Sequence, residues 1–248
     1  MIQIHRLRKK FGKQLVLDDL DLEIEDRRTT VIIGRSGGGK SVLLKNIIGL
    51  VKPDSGEILV DGVDITRLKD KELNDIRKKF GMLFQEGALF DSMNVGDNVA
   101  FPLREHSDLK ESEIREVVSD RLRAVGLSGI ESKMPSELSG GMRKRVALAR
   151  AIALKPEIVL FDEPTTGLDP VLSEAINQLI VSTQKEFNLT CIVISHDLES
   201  IFKIAHKIAF LYEGKILIHG TPEEIRSSDN PVLRQFLAGS IEGPIHIL

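Results

Sequence analysis

A glycine-rich stretch at residues 34–41 has the residue types and spacing of a phosphate-binding loop. It spells Gly-Arg-Ser-Gly-Gly-Gly-Lys-Ser and fits the pattern G-x-x-x-x-G-K-[ST]. A β-branched run at residues 30–33 precedes it, and an apolar segment with the composition of a packed helix, residues 42–50, follows. The glycines let backbone N–H groups turn toward phosphate oxygens, and the helix N-terminus adds partial positive charge. The alternative is a flexible glycine turn that happens to contain a lysine.

This stretch predicts a nucleoside triphosphate site. The Lys40 ammonium would reach the β- and γ-phosphates, and the Ser41 hydroxyl would bind Mg²⁺. The residues predicted to contact the nucleotide are Gly34, Arg35, Ser36, Gly37, Gly38, Gly39, Lys40, Ser41 and Val42.

Two acidic residues, Asp162 and Glu163, follow an apolar run at residues 158–161 that has the pattern of a buried strand. A carboxylate at the carboxyl end of a sheet strand lies near the crevice where ligands of α/β proteins bind. Asp162 is predicted to hold Mg²⁺ through its water shell, and Glu163 to polarise the attacking water. Alternatively, the two acids only cap a strand end that faces solvent.

A second candidate anion site is the sequence Leu138-Ser139-Gly140-Gly141-Met142, which precedes a helix rich in Arg and Lys. Ser139 is a suitable helix cap, and the backbone N–H groups of Gly140 and Gly141 can approach an anion closely. Phosphate is a sensible ligand here, although the chain already contains a phosphate loop.

This sequence resembles the ATP-binding-cassette (ABC) ATPases, whose signature is LSGGQ. The resemblance covers residues 2–225, with the motifs in the family's order. It implies that ATP and Mg²⁺ bind within a head-to-tail homodimer, where the signature of one subunit closes over ATP held by the other. Met142 stands in place of the signature glutamine, at a position expected to affect contacts beyond the phosphate.

The resemblance assigns roles to four further residues. Phe11 falls where the family places an aromatic side chain on the adenine, and Asp169 matches the D-loop that crosses the dimer interface. Gln85, at the end of a predicted strand over residues 80–85, matches the glutamine that senses Mg²⁺ and the γ-phosphate. His196, after a predicted strand at 190–195, matches the switch histidine that contacts the γ-phosphate. The alternatives are ordinary core for Phe11, a surface strand end for Gln85 and a structural role for His196.

The predicted site is that of a hydrolytic enzyme rather than a regulatory nucleotide switch, because Glu163 and His196 are both present. The predicted catalytic residues are Glu163, His196, Lys40 and Gln85. The predicted Mg²⁺ ligands are Ser41, Gln85 and Asp162.

A finer resemblance comes from residues 83–95, 101–106 and 134–143, and from residues 232–239 with the Glu242-Gly243-Pro244 that follows them. Together they are similar to the ATPase subunit of Mla-type phospholipid transporters. This implies as partners an Mla-type integral-membrane permease, a substrate-binding subunit with an MCE domain and often a small STAS-domain protein. The complex would move phospholipid between inner and outer membranes, with this chain peripheral on the cytoplasmic face of the inner membrane.

Other functions compete with this one. An ABC ATPase for another solute would use the same nucleotide chemistry with a different permease. A soluble ABC ATPase of iron–sulfur cluster assembly would have a similar length. Nucleic-acid remodelling is disfavoured by the charge, 34 basic against 37 acidic residues, and by a single cassette without a coiled-coil insertion.

Strands that alternate with helices at both ends of the chain predict an α/β fold. The resemblance implies the P-loop NTPase fold of ABC ATPases: a RecA-like core sheet, an N-terminal antiparallel β subdomain and an inserted α-helical subdomain. The predicted limits are residues 1–85 and 151–225 for the core, 86–150 for the helical subdomain and 226–248 for a tail. Residues 208–212 and 216–218 flank Glu213-Gly214 and predict a hairpin, while Thr221 predicts a helix start.

Two apolar segments are candidate contact surfaces. In the family, the segment after the Q-loop glutamine docks a permease helix. Here its apolar residues would line that groove or fill the subdomain's own core; they are Leu89, Phe90, Met93 and Val95. Apolar residues of the tail recur near helical spacing, at Val232, Leu233, Phe236, Leu237 and Ile241. They would pack on the partner ATPase subunit or an accessory protein, or on the chain's own domain.

The composition is that of a globular protein, with 42% hydrophobic and 29% charged residues. The longest stretch without Asp, Glu, Lys or Arg has 10 residues, shorter than the roughly 20 that a spanning helix needs. Residues 1–11 lack the apolar core of a signal peptide. The single cysteine, Cys191, excludes an internal disulfide and a cysteine zinc site, so a cytosolic location is the default expectation.

Overall fold

The computed structural model describes residues 1–245, which form ten strands and nine α-helices. In chain order the elements are β1 (Ile2–Phe11), β2 (Gln14–Ile24), β3 (Thr29–Gly34), α1 (Lys40–Ile47), β4 (Ser55–Val60), β5 (Val63–Asp64), α2 (Asp70–Arg77), β6 (Phe80–Leu83), α3 (Val95–His106), α4 (Glu111–Ala124), α5 (Gly140–Ala151), β7 (Ile158–Asp162), α6 (Pro170–Phe187), β8 (Thr190–Ile194), α7 (Leu198–Ile204), β9 (Lys207–Tyr212), β10 (Lys215–Gly220), α8 (Pro222–Ser227) and α9 (Pro231–Ala238). The chain divides into two compact units. The first comprises Met1–Glu25, Thr29–Thr66 and residues from 195 onward, and the second comprises Asp26–Arg28 and Arg67–Ile194.

The first unit contains an antiparallel sheet of order β2-β1-β4-β5. Buried side chains on β1, such as Ile2, Ile4 and Leu7, supply its core face. In the same unit β3 pairs parallel with β9, and β9 pairs antiparallel with β10. The predicted hairpin is confirmed: Glu213 and Gly214 both have positive φ, 48° and 77°, as a tight turn between twisted strands requires.

The second unit is built on three parallel strands in the order β8-β7-β6. All residues of β8, and all of β7 except Asp162, are buried, which is the pattern of strands covered on both faces. Asp162 is in register with Ile194, so β7 and β8 end together at one edge. Among the described residues no helix is both long and apolar enough to cross a membrane.

The structure shortens two predicted strands. The strand predicted at residues 190–195 ends at Ile194. The strand predicted over residues 80–85 ends at Leu83, and Gln85 lies in a turn where the Gly87 N–H donates to the Phe84 carbonyl. Residues 86–104 mix small, apolar and polar residues, and within them α3 begins at Val95 behind an Asn94 cap whose side chain accepts from the Asp97 N–H. Pro102 inside α3 removes a backbone donor, which weakens the helical signal in the sequence.

A fully buried asparagine, Asn98, organises the loop before α3. Its Oδ1 accepts from the Phe90 N–H at 2.8 Å, and its Nδ2 donates to the carbonyls of Phe90, Met93 and Asn94 at 3.0–3.1 Å. We expect Asn98→Ala to lower the free energy of unfolding by about 2–4 kcal/mol, because it removes all the hydrogen bonds that this buried side chain makes with the loop backbone.

Urea unfolding measures this change, with Asn74→Ala as the matched control. Asn74 is exposed on α2, and its Oδ1 accepts a hydrogen bond from Arg77. The control should change stability by less than about 0.5 kcal/mol. Equal effects of the two substitutions would contradict the structural role of Asn98.

The tail packs in part on its own unit. Leu233 is fully buried, and the Phe236 ring lies 5.1 Å from that of Phe210 on β9. Gln235 fixes the chain beyond α9, since its Oε1 accepts from the Ile245 N–H at 2.6 Å. Ile241 is 80% exposed. The remaining residues of the predicted tail, 246–248, lie outside the described residues.

Candidate functional site

The phosphate loop connects β3 to α1 in the first unit, as predicted. A Cβ at Gly34 would overlap the carbonyl oxygen of Leu211, so only glycine fits there. Gly39 has φ of 99° and is the N-cap of α1, where no side chain makes a capping hydrogen bond and no acidic residue lies in the first turn. This geometry leaves the positive end of α1 facing the loop without a carboxylate to compete with a bound anion.

Lys40 reaches back across the same loop. Its Nζ donates to the carbonyls of Gly34 at 2.8 Å and Arg35 at 3.0 Å, and the side chain is only 8% exposed. Ser41 is exposed at the start of α1, and Val42 is half-buried. The ammonium is therefore held within the glycine loop, where it can interact with phosphate oxygens.

Two other predicted residues belong to the first unit. Phe11, at the end of β1, is 49% exposed, with the Lys9 ammonium 5.4 Å from its ring centre. The alternative that Phe11 is ordinary core is therefore wrong, and its ring is available for stacking. His196 is exposed and directly precedes Asp197, the N-cap of α7. The Asp197 N–H donates to the Ser195 Oγ on the other side of His196.

The acid pair lies at the end of β7 in the second unit. Asp162 is the last residue of that strand, and Glu163 follows with φ of 52°, in the left-handed region that non-glycine residues seldom adopt. The Glu163 N–H donates to the Ile194 carbonyl at 3.0 Å, and its Oε2 accepts from the Thr166 hydroxyl at 3.3 Å. Both the catalytic role and the strand-capping alternative are compatible with this geometry and stay predictions.

Sequence reasoning missed a buried cation beside Glu163. The Lys144 Nζ, on α5, donates to the carbonyls of Thr166 at 2.8 Å and Glu163 at 3.4 Å, and the side chain is 5% exposed. Burial lowers the pKa of the Lys144 ammonium, while the negative charges of Glu86 and Glu163 oppose that shift. In the sequence Lys144 stands between Arg143 and Arg145, so neither its type nor its spacing signals that it is buried.

The signature residues begin α5, as predicted. Ser139 is the N-cap, with its Oγ accepting from the Met142 N–H at 3.3 Å, and no acidic residue lies in the first turn of α5. Ser139 and Gly140 are exposed, and Gly141 is buried. Asp169 caps α6 by accepting from the N–H groups of Val171 and Leu172. The exposed N-terminus of α5 is a chemically suitable place for an anion.

The segment after Gln85 is held by the other end of α5. Arg150 donates to the carbonyls of Gly87 at 2.9 Å and Ala88 at 2.8 Å. Phe90 is 41% exposed and packs its ring 4.9 Å from that of Phe101. Val95 is fully buried, so it belongs to the core and does not line a groove. Leu89 and Met93 are half-buried, so either interpretation of them stays open.

The donors predicted for Mg²⁺ are a hydroxyl, an amide oxygen and a carboxylate, from Ser41, Gln85 and Asp162. Mg²⁺ prefers oxygen donors and usually keeps several waters, using one or two carboxylates together with the phosphates of a substrate. Residues 1–245 contain no cluster of three or more His, Cys, Asp or Glu side chains suited to a metal. Each of these side chains is of a type that Mg²⁺ binds together with the phosphates of a nucleotide.

Comparison with known proteins places this chain among the ATP-binding proteins of transport systems. Residues 17–166 match the family described as "ABC transporter". The intermembrane phospholipid transport system ATP-binding protein MlaF of Haemophilus influenzae is 47% identical over 245 residues, covering 99% of this chain and 93% of that protein. The probable ribonucleotide transport ATP-binding protein mkl of Mycobacterium leprae is also 47% identical, over 98% of this chain and 70% of its own length.

The likeness extends to solved structures. A dimeric structure of the ATP-binding cassette MJ0796, in a post-hydrolysis state with ADP and Pi, has a TM-score of 0.81 and 32% identity. It covers 90% of this chain and 99% of that one. The predicted α/β P-loop fold is thereby confirmed.

Proposed function

Because the chain belongs to the ABC transporter family, we propose that it is the ATP-hydrolysing subunit of a phospholipid transporter with a separate membrane permease. The chain is an ATPase by its family and its structural neighbours. The observation that supports a phospholipid cargo is the near full-length match to MlaF, 47% identity over 99% of this chain and 93% of the relative.

A ribonucleotide cargo is the competing proposal, because the mkl protein is equally similar in identity. The match to mkl leaves 30% of that protein's length uncovered, whereas the MlaF match spans nearly all of both chains. The resemblance of residues 83–95, 101–106 and 134–143 to the Mla-type ATPase subunit favours the phospholipid transporter. The cargo itself is selected by the permease and its substrate-binding subunit, so only an assay of the complex decides between the two.

The proposed reaction uses the residues predicted from the sequence. Lys40 and the backbone of the phosphate loop bind the β- and γ-phosphates, and Phe11 stacks on the adenine. Glu163 orients and polarises the attacking water, with His196 contacting the γ-phosphate. Ser139, Gly140 and Gly141 of a second copy close over the nucleotide and stabilise the charge of the transferring phosphoryl group.

Mg²⁺, held by Ser41, Gln85 and Asp162, supplies charge neutralisation on the phosphate oxygens when it is bound. The oxygen donors of these three side chains support this assignment. Gln85 lies in an exposed turn beyond β6, where it can follow the arrival of an ion or a phosphate without disturbing a strand.

The proposed assembly is a homodimer of this chain on the cytoplasmic face of an inner membrane, bound to an Mla-type permease. An MCE-domain subunit and a STAS-domain protein are the further partners we propose. Exposed Phe90 and half-buried Leu89 and Met93 offer the permease an apolar surface. Residues 86–150 are proposed as the helical subdomain that presents this surface.

The test begins with a tagged chain recovered from detergent-solubilised membranes, with its partners identified by mass spectrometry. The recovered complex is then reconstituted in proteoliposomes. We expect ATP-dependent transfer of fluorescent phospholipid to acceptor vesicles, and none with a complex that contains Glu163→Gln. The same proteoliposomes are assayed for movement of a labelled ribonucleotide.

Each outcome of that experiment has one meaning. Phospholipid transfer without ribonucleotide movement supports the proposal. Ribonucleotide movement without lipid transfer overturns the cargo but keeps the ATPase chemistry. Recovery of soluble scaffold proteins alone overturns the transporter assignment.

A further inference from the structure

The turn that contains Glu163 is closed by its own backbone and crossed by a side chain from another helix. Within the turn, the Thr166 N–H donates to the Glu163 carbonyl at 3.2 Å. The Lys144 Nζ donates to that same carbonyl at 3.4 Å and to the Thr166 carbonyl at 2.8 Å. The ammonium therefore joins both ends of the turn, residues 163 and 166, with charge-assisted hydrogen bonds.

The backbone conformation at Glu163 needs such support. A positive φ at a non-glycine residue is unfavourable and persists where surrounding contacts determine it. At Glu163 these contacts are the Ile194 carbonyl, which accepts from its N–H, and the Lys144 ammonium, which donates to its carbonyl. The direction of the Glu163 side chain depends on that backbone conformation, since it sets where the Cα–Cβ bond points.

Lys144 also has an unusual environment for a lysine. The side chain is only 5% exposed, although lysine is seldom fully buried unless it is paired. It lies on α5, five residues after Ser139, the N-cap of that helix. A shift of the signature end of α5 would therefore be transmitted to the turn at Glu163.

We propose that Lys144 is a positioning residue: it holds the turn at residues 163–166 so that the Glu163 carboxylate points at the attacking water. This inference rests on the proposed role of Glu163. Lys144 touches the backbone of the turn and acts on the reaction only through Glu163. Its position makes the orientation of the carboxylate depend on where α5 lies.

The test compares substitutions at position 144 in purified dimeric enzyme. Lys144→Met keeps an unbranched apolar stem and removes all donors, while Lys144→Gln keeps an N–H donor near the turn. We expect Lys144→Met to lower kcat about 10-fold with the KM for ATP changed less than about 2-fold, since misplaced catalytic groups slow the chemical step. Lys144→Gln should restore much of kcat.

A matched control is Lys185→Met, which removes an exposed lysine from α6 in the same unit. It should leave kcat and KM unchanged. Wild-type kcat in Lys144→Met overturns the proposal. A parallel loss of kcat and ATP affinity that Lys144→Gln does not restore also overturns it, because that pattern indicates general damage to the fold.

A double-mutant cycle with Glu163→Gln adds a readout that a merely structural lysine would not move. If Lys144 acts through Glu163, then Lys144→Met should cost little further activity once Glu163 is replaced. A full additional 10-fold loss would overturn the inference. If Glu163→Gln keeps wild-type turnover, the proposed role of Glu163 fails. If Glu163→Gln loses turnover as expected but Lys144→Met does not, only the inference about Lys144 is overturned.

Discussion

Glu163→Gln should abolish nearly all ATP turnover while leaving ATP binding intact. A glutamine has the shape of glutamate but cannot polarise water by accepting its proton, and removal of a positioned general base typically costs about 10²–10⁴-fold in rate. ATP affinity should persist, because the proposed phosphate contacts come from Lys40 and the glycine loop. Steady-state phosphate release measures turnover, and displacement of a fluorescent nucleotide measures binding.

Glu157→Gln is the matched control for this experiment. Glu157 directly precedes β7, the strand that Glu163 follows, and it is exposed, with a 3.6 Å ion pair to Lys79. The same chemical change at the opposite end of the strand should leave turnover unchanged. Normal turnover in Glu163→Gln, or loss in both variants, would refute the catalytic role assigned to Glu163.

The phosphate loop was predictable because its chemistry is local. The glycines needed for a left-handed backbone, the lysine and the flanking strand and helix are contiguous in the sequence, so one pattern specifies them together. The hairpin at Glu213-Gly214 and the capping box that begins α8 are equally local. Short-range patterns of this kind fix backbone geometry with few tertiary contacts.

Features that depend on distant contacts were not predictable. The apolar run at residues 80–85 is consistent with a six-residue strand, but pairing with β7 stops at the Leu83–Phe161 pair, and Gln85 is left in a turn. Lys144 looks like one of several basic residues on α5, and only the turn at residues 163–166 explains its burial. The left-handed φ of Glu163 likewise accompanies hydrogen bonds to Ile194 and Lys144, which are distant from it in the sequence.

Lys40→Met should remove most of the ATP affinity of the chain. The Lys40 ammonium is enclosed by the phosphate loop, 2.8 Å from the Gly34 carbonyl, where a γ-phosphate would gain a charge-assisted hydrogen bond. Such bonds contribute about 1.5–3 kcal/mol, so affinity should fall about 10- to 100-fold. ATP at 100 times its wild-type Kd should stabilise the unmodified chain by about 2.7 kcal/mol, and that stabilisation should fall to about 0.4–1.4 kcal/mol in the variant.

Thermal unfolding with and without ATP separates lost binding from a damaged loop. In the absence of nucleotide, Lys40→Met should lower the free energy of unfolding by about 1–3 kcal/mol, because the Lys40 Nζ no longer donates to the Gly34 and Arg35 carbonyls. The stabilisation by ATP is therefore measured relative to the nucleotide-free form of each variant. Lys45→Met, which changes an exposed lysine in the last turn of the same helix, should keep the full stabilisation by ATP because the phosphate loop precedes the first turn. Full stabilisation by ATP in Lys40→Met would show that the nucleotide binds without this lysine, and would refute the phosphate-loop assignment.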